Sequence, residues 1–404
     1  MTDARVPLRY MLRPREIVER PYLPVLSVYR DHGVIPKNSR TDNFNKTPPD
    51  LSRYQEVRPG DLAVNKMKAW QGSLAVSHHH GIVSPDYLVC SVSSSVDPQY
   101  LHYLLRSSPL ISEYRRRSKG IRPAQWRLYW EDLAEVSVTL PCVEEQRRIG
   151  DFLDAETSRM DRMAVLQQAV GSKLTERENA LLDGEIDRLA DAYGFVPFRR
   201  FIQQVEQGTS PQCHNVEAAD GEWGVLKVSA VKDGTFQPTE NKLLPADVPP
   251  SRQYEVKDGD LLITRANTPI LVGAATVVRQ PRRRLLLCDK IFRIDVSSEL
   301  NKEFLVHIAR GTRVRALCAA ASHGTSQSMA NLKVDEIKKW PIPSAPVSEQ
   351  RRLVDLVDER RAQTSKLRAA IDAQLVLLTE RRQALITAAV TGQMDVTTAR
   401  RVTA

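Results

Sequence analysis

Two segments of the chain carry apolar residues at helical spacing and predict long amphipathic helices. In the first, which begins after Pro141, no further proline interrupts the chain until Pro197. Apolar side chains recur there in steps of three, four or seven residues, which is the spacing of a coiled-coil seam. The acidic pair Glu144 and Glu145 suits a first helical turn, because carboxylates offset the exposed amide dipole. A rod from Glu144 to Leu182 is roughly 58 Å long at 1.5 Å per residue and needs a partner helix to cover its seam.

The second segment, residues 341–392, repeats the first. Glu-Gln-Arg-Arg occurs at 145–148 and at 349–352, and Leu-Thr-Glu-Arg occurs at 174–177 and at 378–381. Both pairs are 204 positions apart, which indicates a tandem duplication. The residues predicted to form the interface of the helix pair are Ile149, Leu153, Met160, Met163, Val170, Leu174, Leu181, Leu353, Val357, Leu367, Ile371, Leu378 and Leu385.

The regions that precede the two helices also correspond to each other. The first alternates short β-like runs with turns, and one short amphipathic helix is predicted at 100–106. Gly-Asp-Leu at 60–62 recurs at 259–261, and Val-Pro at 6–7 recurs at 196–197. The chain is therefore divided into four segments, in the order globule, helix, globule, helix: residues 1–140, 141–190, 191–340 and 341–404.

Charge and cysteine content narrow the class of protein. The chain has 58 basic and 49 acidic residues, a net charge of +9, which favours a polyanionic partner. Its five cysteines show no Cys-x-x-Cys spacing, so we expect reduced thiols in a cytoplasmic protein. We expect neither a signal peptide nor a membrane span, because no run approaches the ~18 apolar residues that a span needs.

The repeated motifs resemble those of the specificity subunit of type I restriction–modification systems. The resemblance rests on Leu-Pro-x-x-Glu-Glu-Gln-Arg-Arg-Ile at 140–149, its copy ending at Leu353, and Leu-Thr-Glu-Arg-Arg-Gln-Ala-Leu-Ile-Thr-Ala-Ala-Val-Thr-Gly at 378–392. It also rests on Gly-Asp-Leu-Leu-Ile-Thr-Arg at 259–265 and Gly-Ile-Val-Ser-Pro-Asp-Tyr at 81–87. The first helix departs from the second after Leu182, which predicts different packing at its far end.

The resemblance implies an α+β fold: two tandem mixed α/β target recognition domains separated by two long helices that form an antiparallel coiled coil. Each domain would read one half of a bipartite double-stranded DNA site. Two methyltransferase subunits would bind around the helices, and restriction/translocase subunits could join them. S-adenosylmethionine, ATP and Mg²⁺ would then be bound by the partners, and this chain would hold no cofactor. The helices would act as a ruler, since roughly 58 Å corresponds to about 17 base pairs at 3.4 Å each.

No catalytic set is complete in the sequence. Thr47-Pro48-Pro49-Asp50 lacks the amide and the aromatic residue of a DNA-adenine methyltransferase tetrad. Glu-x-Lys occurs three times in unrelated contexts, and no phosphate-binding GxxxxGK[ST] loop is present. The three consecutive histidines at 78–80 are poorly arranged to bind a metal ion, because adjacent side chains on a strand point to opposite faces. We expect no metal and no catalytic residues; a stand-alone DNA-binding regulator and a fragment with nuclease activity remain alternatives.

Candidate DNA contacts are basic residues that can neutralise phosphates, together with polar residues that can read base edges. Trp126, Tyr129 and Trp130 follow a basic cluster, but packing is the commoner role for such side chains. In the first globule the candidates are Lys37, Asn38, Arg40, Asn65, Lys66, Lys68, Arg115, Arg116, Lys119 and Arg122. In the second globule they are Gln207, Thr209, Lys227, Lys232, Arg265, Asn267, Arg282 and Lys290.

Overall fold

The computed structural model describes residues 5–30, 32–40, 47–122, 125–232, 234–321, 323–326 and 329–396. It divides into two compact units. Unit 1 comprises residues 1–168 together with 371–404, and unit 2 comprises residues 169–370. Among the described helices, none is long and apolar enough to span a lipid bilayer.

Two long helices contribute to both units: α4, Val143–Tyr193, and α8, Val347–Val390. The other helices of unit 1 are α1 Pro98–Leu105, α2 Ser108–Arg117 and α3 Trp130–Ala134. Its strands are β1 Arg5–Pro7, β2 Leu12–Pro14, β3 Leu26–Tyr29, β4 Gly33–Pro36, β5 Gln55–Val57, β6 Leu62–Asn65, β7 Leu74–Val76, β8 Gly81–Val83, β9 Tyr87–Val92 and β10 Ser137–Thr139. Short 3₁₀ turns span Leu8–Tyr10, Lys37–Ser39 and Ala69–Gln71.

Unit 2 contains the same kinds of element in a similar order, with additional short strands. Its other helices are α5 Lys302–Arg310, α6 Thr312–Ala321 and α7 Val334–Ile337. Its strands are β11 Phe195–Pro197, β12 Ile202–Gln207, β13 Gly224–Leu226, β14 Val231–Lys232, β15 Thr235–Phe236, β16 Asn241–Leu243, β17 Leu261–Thr264, β18 Ala266–Asn267, β19 Ala275–Val277, β20 Leu285–Leu286, β21 Ile291–Val296, β22 His323–Ser326, β23 Met329–Asn331 and β24 Pro341–Pro343. Its 3₁₀ turns span Phe198–Arg200, Val228–Ala230 and Arg252–Tyr254.

An antiparallel four-stranded sheet forms the centre of each unit, with order β2-β9-β6-β7 in unit 1 and β12-β21-β17-β19 in unit 2. Strand β6 is buried on both faces. Leu62 and Val64 belong to the core that includes side chains of α1, α4 and α8, which we call the helix-side core, and Ala63 belongs to a second core on the opposite face of the sheet. Strand β17 repeats this, because Leu261 contacts the helix-side core and Leu262 the opposite one. Because alternate side chains of a strand face opposite sides, the buried parts 62–64 and 261–263 are apolar throughout.

We call the part of each unit outside the long helices its module. The glutamine of the repeated Glu-Gln-Arg-Arg motif joins each module to the long helix that follows it. Gln146 is buried; its Oε1 accepts from the Asp97 N–H at 2.9 Å, and its Nε2 donates to the Pro141 carbonyl. Gln350, 204 positions later, accepts from the Asn301 N–H at 2.7 Å and donates to the carbonyls of 299 and 345. The duplicated motif is therefore a structural junction.

A second junction keeps its position but changes its chemistry. The Tyr103 hydroxyl donates to the Asp154 carboxylate in unit 1. In unit 2 the equivalent residues are His307 and Asp358, with Nε2 and Oδ1 3.1 Å apart. The hydrogen bond from His307 lowers the pKa of Asp358. Both contacts fix a short helix of the module to the long helix that follows it.

The long helices pair antiparallel within each unit, as predicted. In unit 1, Ile149 and Leu153 share a core with Ile386 and Val390, and an ion pair links Arg382 to Asp161. In unit 2, the buried Glu178 carboxylate lies 3.3 Å from Arg361 and 3.4 Å from Arg368. Arg188 lies 3.2 Å from Glu349 at the other end of the same stretch. Residue numbers thus increase along α4 where those of the contacting residues on α8 decrease, so the two helices run antiparallel.

The covered stripe differs from the predicted seam in the middle of both helices. From Met160 it continues through Ala164, Gln167 and Gly171 to Leu174, in alternating steps of four and three. Side chains one position before 164 and 171 therefore lie beside the stripe. This corrects three predicted seam residues, which are about half exposed: Met163 at 51%, Val170 at 50% and Leu367 at 53%. The other predicted seam residues are buried or half-buried: Ile149, Leu153, Met160, Leu174, Leu181, Leu353, Val357, Ile371, Leu378 and Leu385.

The first helix is longer than the sequence predicted. It continues beyond Leu182 to Tyr193, whereas α8 ends at Val390, with Gly392 in the left-handed region at φ 73°. The added turns place Ile186 and Leu189 in the core of unit 2. Burial of these apolar side chains explains the sequence departure at this end.

Candidate nucleic-acid interface

Three loops of unit 1 are joined by backbone hydrogen bonds at one end of its central sheet. The Lys66 N–H, just after β6, donates to the Asp86 carbonyl at 3.2 Å, and the Leu128 N–H donates to the Lys66 carbonyl at 2.9 Å. Lys119 and Arg127 form an antiparallel bridge with N–O distances of 3.0 and 2.9 Å. We call this arrangement of segments 65–68, 84–87, 118–122 and 125–128 the loop frame.

Unit 2 contains the same loop frame. The Arg265 N–H, just after β17, donates to the Lys290 carbonyl at 2.8 Å, and the Leu332 N–H donates to the Arg265 carbonyl at 2.8 Å. His323 pairs with Asn331 in the antiparallel hairpin. Positions 86, 119, 127 and 128 of unit 1 match 290, 323, 331 and 332 at the 204-residue spacing. The duplication therefore preserves the connections among these three segments.

Basic and aromatic side chains surround the frame in unit 1. Lys66 Nζ donates to the Pro85 carbonyl at 2.9 Å, and Lys119 Nζ lies 2.8 Å from Asp132. Trp70 and Trp126 meet edge to face with ring centroids 5.3 Å apart, so these tryptophans pack on each other. The remaining candidates near the frame are Asn65, whose amide donates to the Tyr87 hydroxyl, and Lys68, Arg115, Arg116 and Arg122, which are exposed.

Five of the unit 2 candidates lie at the corresponding sheet end. Gln207, the last residue of β12, donates from Nε2 to the Asp289 carbonyl at 2.9 Å, beside Lys290. Arg265 and Lys290 are joined by the frame hydrogen bond, and Asn267 Oδ1 accepts from the Thr268 N–H at 2.8 Å. Thr209 is exposed two residues after β12. The sheet end thus gathers amide, guanidinium and ammonium groups.

Other candidates lie away from the loop frame. Lys37, Asn38 and Arg40 follow β4; the Lys37 ammonium donates to Thr47, and Arg40 lies beside His32. In unit 2, Lys227 faces Glu240 at 3.8 Å. Lys232 belongs to the β14–β15 hairpin, at a different part of the module. The structure does not bring these residues together with the frame.

Arg282 is positioned by a backbone contact and has a structural explanation. Its Nη1 donates to the Glu222 carbonyl at 3.0 Å, while Nε and Nη2 are buried. A Cβ at Gly224 would lie 2.7 Å from Nη2, so the guanidinium fills the space beside that glycine. DNA contact by Arg282 stays a prediction; Arg283, next in the chain, is exposed.

One residue of the histidine triplet, His80, contacts a carboxylate of unit 1. His80 Nε2 lies 2.8 Å from the buried Glu56 carboxylate, which also meets Arg58 at 3.1 Å. Hydrogen bonds from Arg58 and then His80 lower the pKa of Glu56 to about 2. In the described part of the chain, no group of three or more His, Cys, Asp or Glu residues could hold a metal ion.

The predicted set leaves out two polar frame residues that prove to be equivalent, Arg127 and Asn331. They occupy matching positions on the two hairpins. The 204-residue spacing could have identified them, because it aligns the two hairpins without any gap. Sequence reasoning followed runs of consecutive basic residues and missed them, since each lies outside such a run.

Two curated proteins similar to this chain are specificity subunits of type I restriction enzymes. No family model matches the chain. The Escherichia coli EcoEI type I restriction enzyme specificity subunit is 32% identical over 161 residues, 39% of this chain. That match spans about a quarter (27%) of the relative's length. The EcoKI specificity subunit of E. coli strain K12 is 20% identical over 410 aligned positions, 92% of this chain and 82% of the relative.

A solved chain supports the same fold. It comes from work on complex assembly and conformational transition of the type I R-M system. The two structures superpose with a TM-score of 0.68 at 17% identity, covering 97% of this chain and 98% of the other. This similarity establishes two modules and two long helices as a known arrangement of elements.

Proposed function

We infer that this chain is a specificity subunit of a type I restriction–modification system: a non-catalytic protein that binds DNA in a sequence-specific manner. The observation that carries the proposal is the duplicated loop frame, present once in each unit and lined by unlike side chains. Both curated relatives are named as specificity subunits of type I restriction enzymes. The net charge of +9 favours a polyanionic ligand such as DNA.

Each unit reads one half of a bipartite site in this proposal. A common backbone frame presents similar positions to a groove, whereas different side chains select different bases. Lys66 corresponds to Arg265, and Asp86 corresponds to Lys290, so the two sites differ in charge. The helix pair sets the number of base pairs between the half-sites.

The long helices bind the partner subunits in this proposal. Leu166 on α4 and Leu377 on α8 are 65% and 61% exposed, and both lie in the helical part of unit 1. Val165 and Val376, beside them, are also exposed. Exposed apolar side chains next to each other on a helix are suited to a protein–protein interface. We assign these four side chains, which we call the apolar helix patch, to contact with methyltransferase, with two such subunits per complex.

The chemistry belongs to the partners in this proposal. S-adenosylmethionine, and ATP and Mg²⁺ where restriction/translocase subunits join the complex, bind to those subunits. Recognition by this chain presents one adenine per half-site to a methyltransferase, which rotates the base out of the duplex for methylation. The complex acts on DNA in the cytoplasm.

Methylation mapping tests the proposed function. We expect genome-wide N6-methyladenine mapping of cells with the chain to give a bipartite motif, and deletion of the chain to abolish it. Complexes purified through this chain should contain methyltransferase in molar excess over it. An unchanged methylation pattern after deletion would contradict the proposal and favour a stand-alone regulator.

A substitution in the apolar helix patch tests the docking assignment. Leu166→Glu combined with Leu377→Glu should abolish co-purification of methyltransferase, because a carboxylate cannot enter an apolar interface without losing its hydration. Ala373→Glu, on an exposed part of α8, is the matched control and should retain the partner. The thermal midpoint of the isolated chain should change little in both variants, since all three positions are exposed. Equal partner retention by both variants would refute the docking assignment.

A further inference from the structure

One position of the two loop-frame hairpins carries a different polar group in each unit. In unit 1 this position is Arg127, whose side chain is 39% exposed and whose guanidinium lies 3.5 Å from the carboxylate of Asp86. In unit 2 the matching residue is Asn331, and Lys290 takes the place of the aspartate. The frame is thus constant while the group that it presents changes from a guanidinium to an amide.

Backbone hydrogen bonds hold both positions firmly. Arg127 exchanges two hydrogen bonds with Lys119, at 2.9 and 3.0 Å. Asn331 pairs both with His323 and with Ala266, the first residue of β18. Rigid placement of a side chain lowers the entropy that binding would otherwise lose. These are the properties expected of a base-reading position.

The side chains at these positions are available to a ligand. The pair of Arg127 and Asp86 is exposed to water, with Asp86 at 56%, so its net energy is small and DNA can replace it. The Asn331 side chain is partly exposed. Lys119 in unit 1 and Arg265 in unit 2 lie next to these positions and can neutralise phosphates.

We propose that Arg127 and Asn331 are the equivalent base-reading residues of the two half-sites. Arginine pairs bidentately with O6 and N7 of guanine, and asparagine with N6 and N7 of adenine, in the major groove. Arg127 therefore reads a guanine in one half-site, and Asn331 reads an adenine in the other. This inference rests on the proposed function and names the specificity-determining residues within it.

Selection from a library of randomised double-stranded DNA tests the proposal. The complex is purified from its source cells through a tag on this chain, and enriched duplexes are sequenced. Arg127→Asn should change one base of one half-site and leave the other half-site intact, and Asn331→Arg should do the converse. The preference for the original base should fall roughly 10- to 100-fold, the discrimination of one bidentate pair.

Controls separate this inference from the proposed function. Arg53→Asn, at an exposed arginine in the loop before β5, is the matched control and should leave both half-sites unchanged. If the natural complex enriches no bipartite sequence, the proposed function itself fails. If it does, but Arg127→Asn and Asn331→Arg leave both half-sites unchanged or alter both alike, this inference alone is overturned. Arg127→Lys replaces Arg127→Asn if the latter lowers the thermal midpoint, and should still weaken the guanine preference, since ammonium lacks the planar fork.

Discussion

Replacement of the glutamine at the second module–helix junction provides the sharpest test of the fold. Gln350 is fully buried and has three backbone partners: the Asn301 N–H at 2.7 Å and the carbonyls of Glu299 and Ala345 at 2.8 and 2.9 Å. Gln350→Ala removes the partner of one backbone donor and two backbone acceptors. At roughly 1 kcal/mol for each lost partner, the expected cost is about 3 kcal/mol.

The expected shift is large enough to measure by thermal unfolding. For a unit of this size, about 3 kcal/mol corresponds to a decrease of roughly 6–12 °C in the melting temperature. Hydrogen exchange gives a local measurement, because the Asn301 amide loses its acceptor and should exchange faster. Gln146→Ala, with two backbone partners, should cost about 2 kcal/mol and act on the Asp97 amide of unit 1 instead.

The control for this prediction is the next residue of the motif. Arg351 is exposed, and Arg351→Ala should change stability by no more than about 0.5 kcal/mol. If Gln350→Ala and Arg351→Ala had equal melting temperatures, or if the Asn301 amide kept its protection in Gln350→Ala, the junction would not depend on this side chain.

Three further predictions follow from other contacts. Glu178→Ala should destabilise unit 2 by about 2–4 kcal/mol in urea unfolding, because three arginines lose the buried carboxylate that they share. Glu176→Ala, at an exposed position, is the control and should cost under about 0.5 kcal/mol. Equal costs would refute a role for the buried cluster. Because the pKa of Glu56 is lowered to about 2, its ionised form stabilises the fold above about pH 4.5, and that contribution is lost as the pH falls towards 2. Urea midpoints of the natural chain and Glu56→Gln should therefore differ at neutral pH and converge in acid, and parallel curves would contradict this reasoning. Inserting one heptad into 163–175 and another into 367–379 should lengthen the spacer of the methylated motif by about 3 base pairs with both half-sites unchanged; an unaltered spacer would contradict the ruler proposal.

Local periodicity was sufficient to predict the main elements of the fold. Two of the short β-like runs expected in the first globule appear as β3 and β6, and the helix expected at 100–106 appears as α1. These runs are wholly apolar or have an apolar face, so the pattern identifies them directly. The antiparallel pairing of the long helices, implied by the family resemblance, is confirmed within each unit.

The remaining features depend on contacts between distant residues. The loop frame needs a hydrogen bond from Leu128 to Lys66, which no local pattern predicts. Small and polar residues such as Ala164 and Gly171 form the covered stripe, so a search for large apolar side chains selected Met163 in error. DNA contact by the predicted residues, and the four segment boundaries, stay predictions.

Unit 1 is built from two stretches of chain that are far apart in the sequence, and this affects how it folds during synthesis on the ribosome. Its core needs Ile386 and Val390, which are made after all of residues 169–370. At translation rates of about 5–20 residues per second, the first module waits roughly 10–45 s for these side chains. The part of the protein that emerges first is therefore completed last, and during that interval the apolar side chains of Ile149 and Leu153 remain open to chaperones.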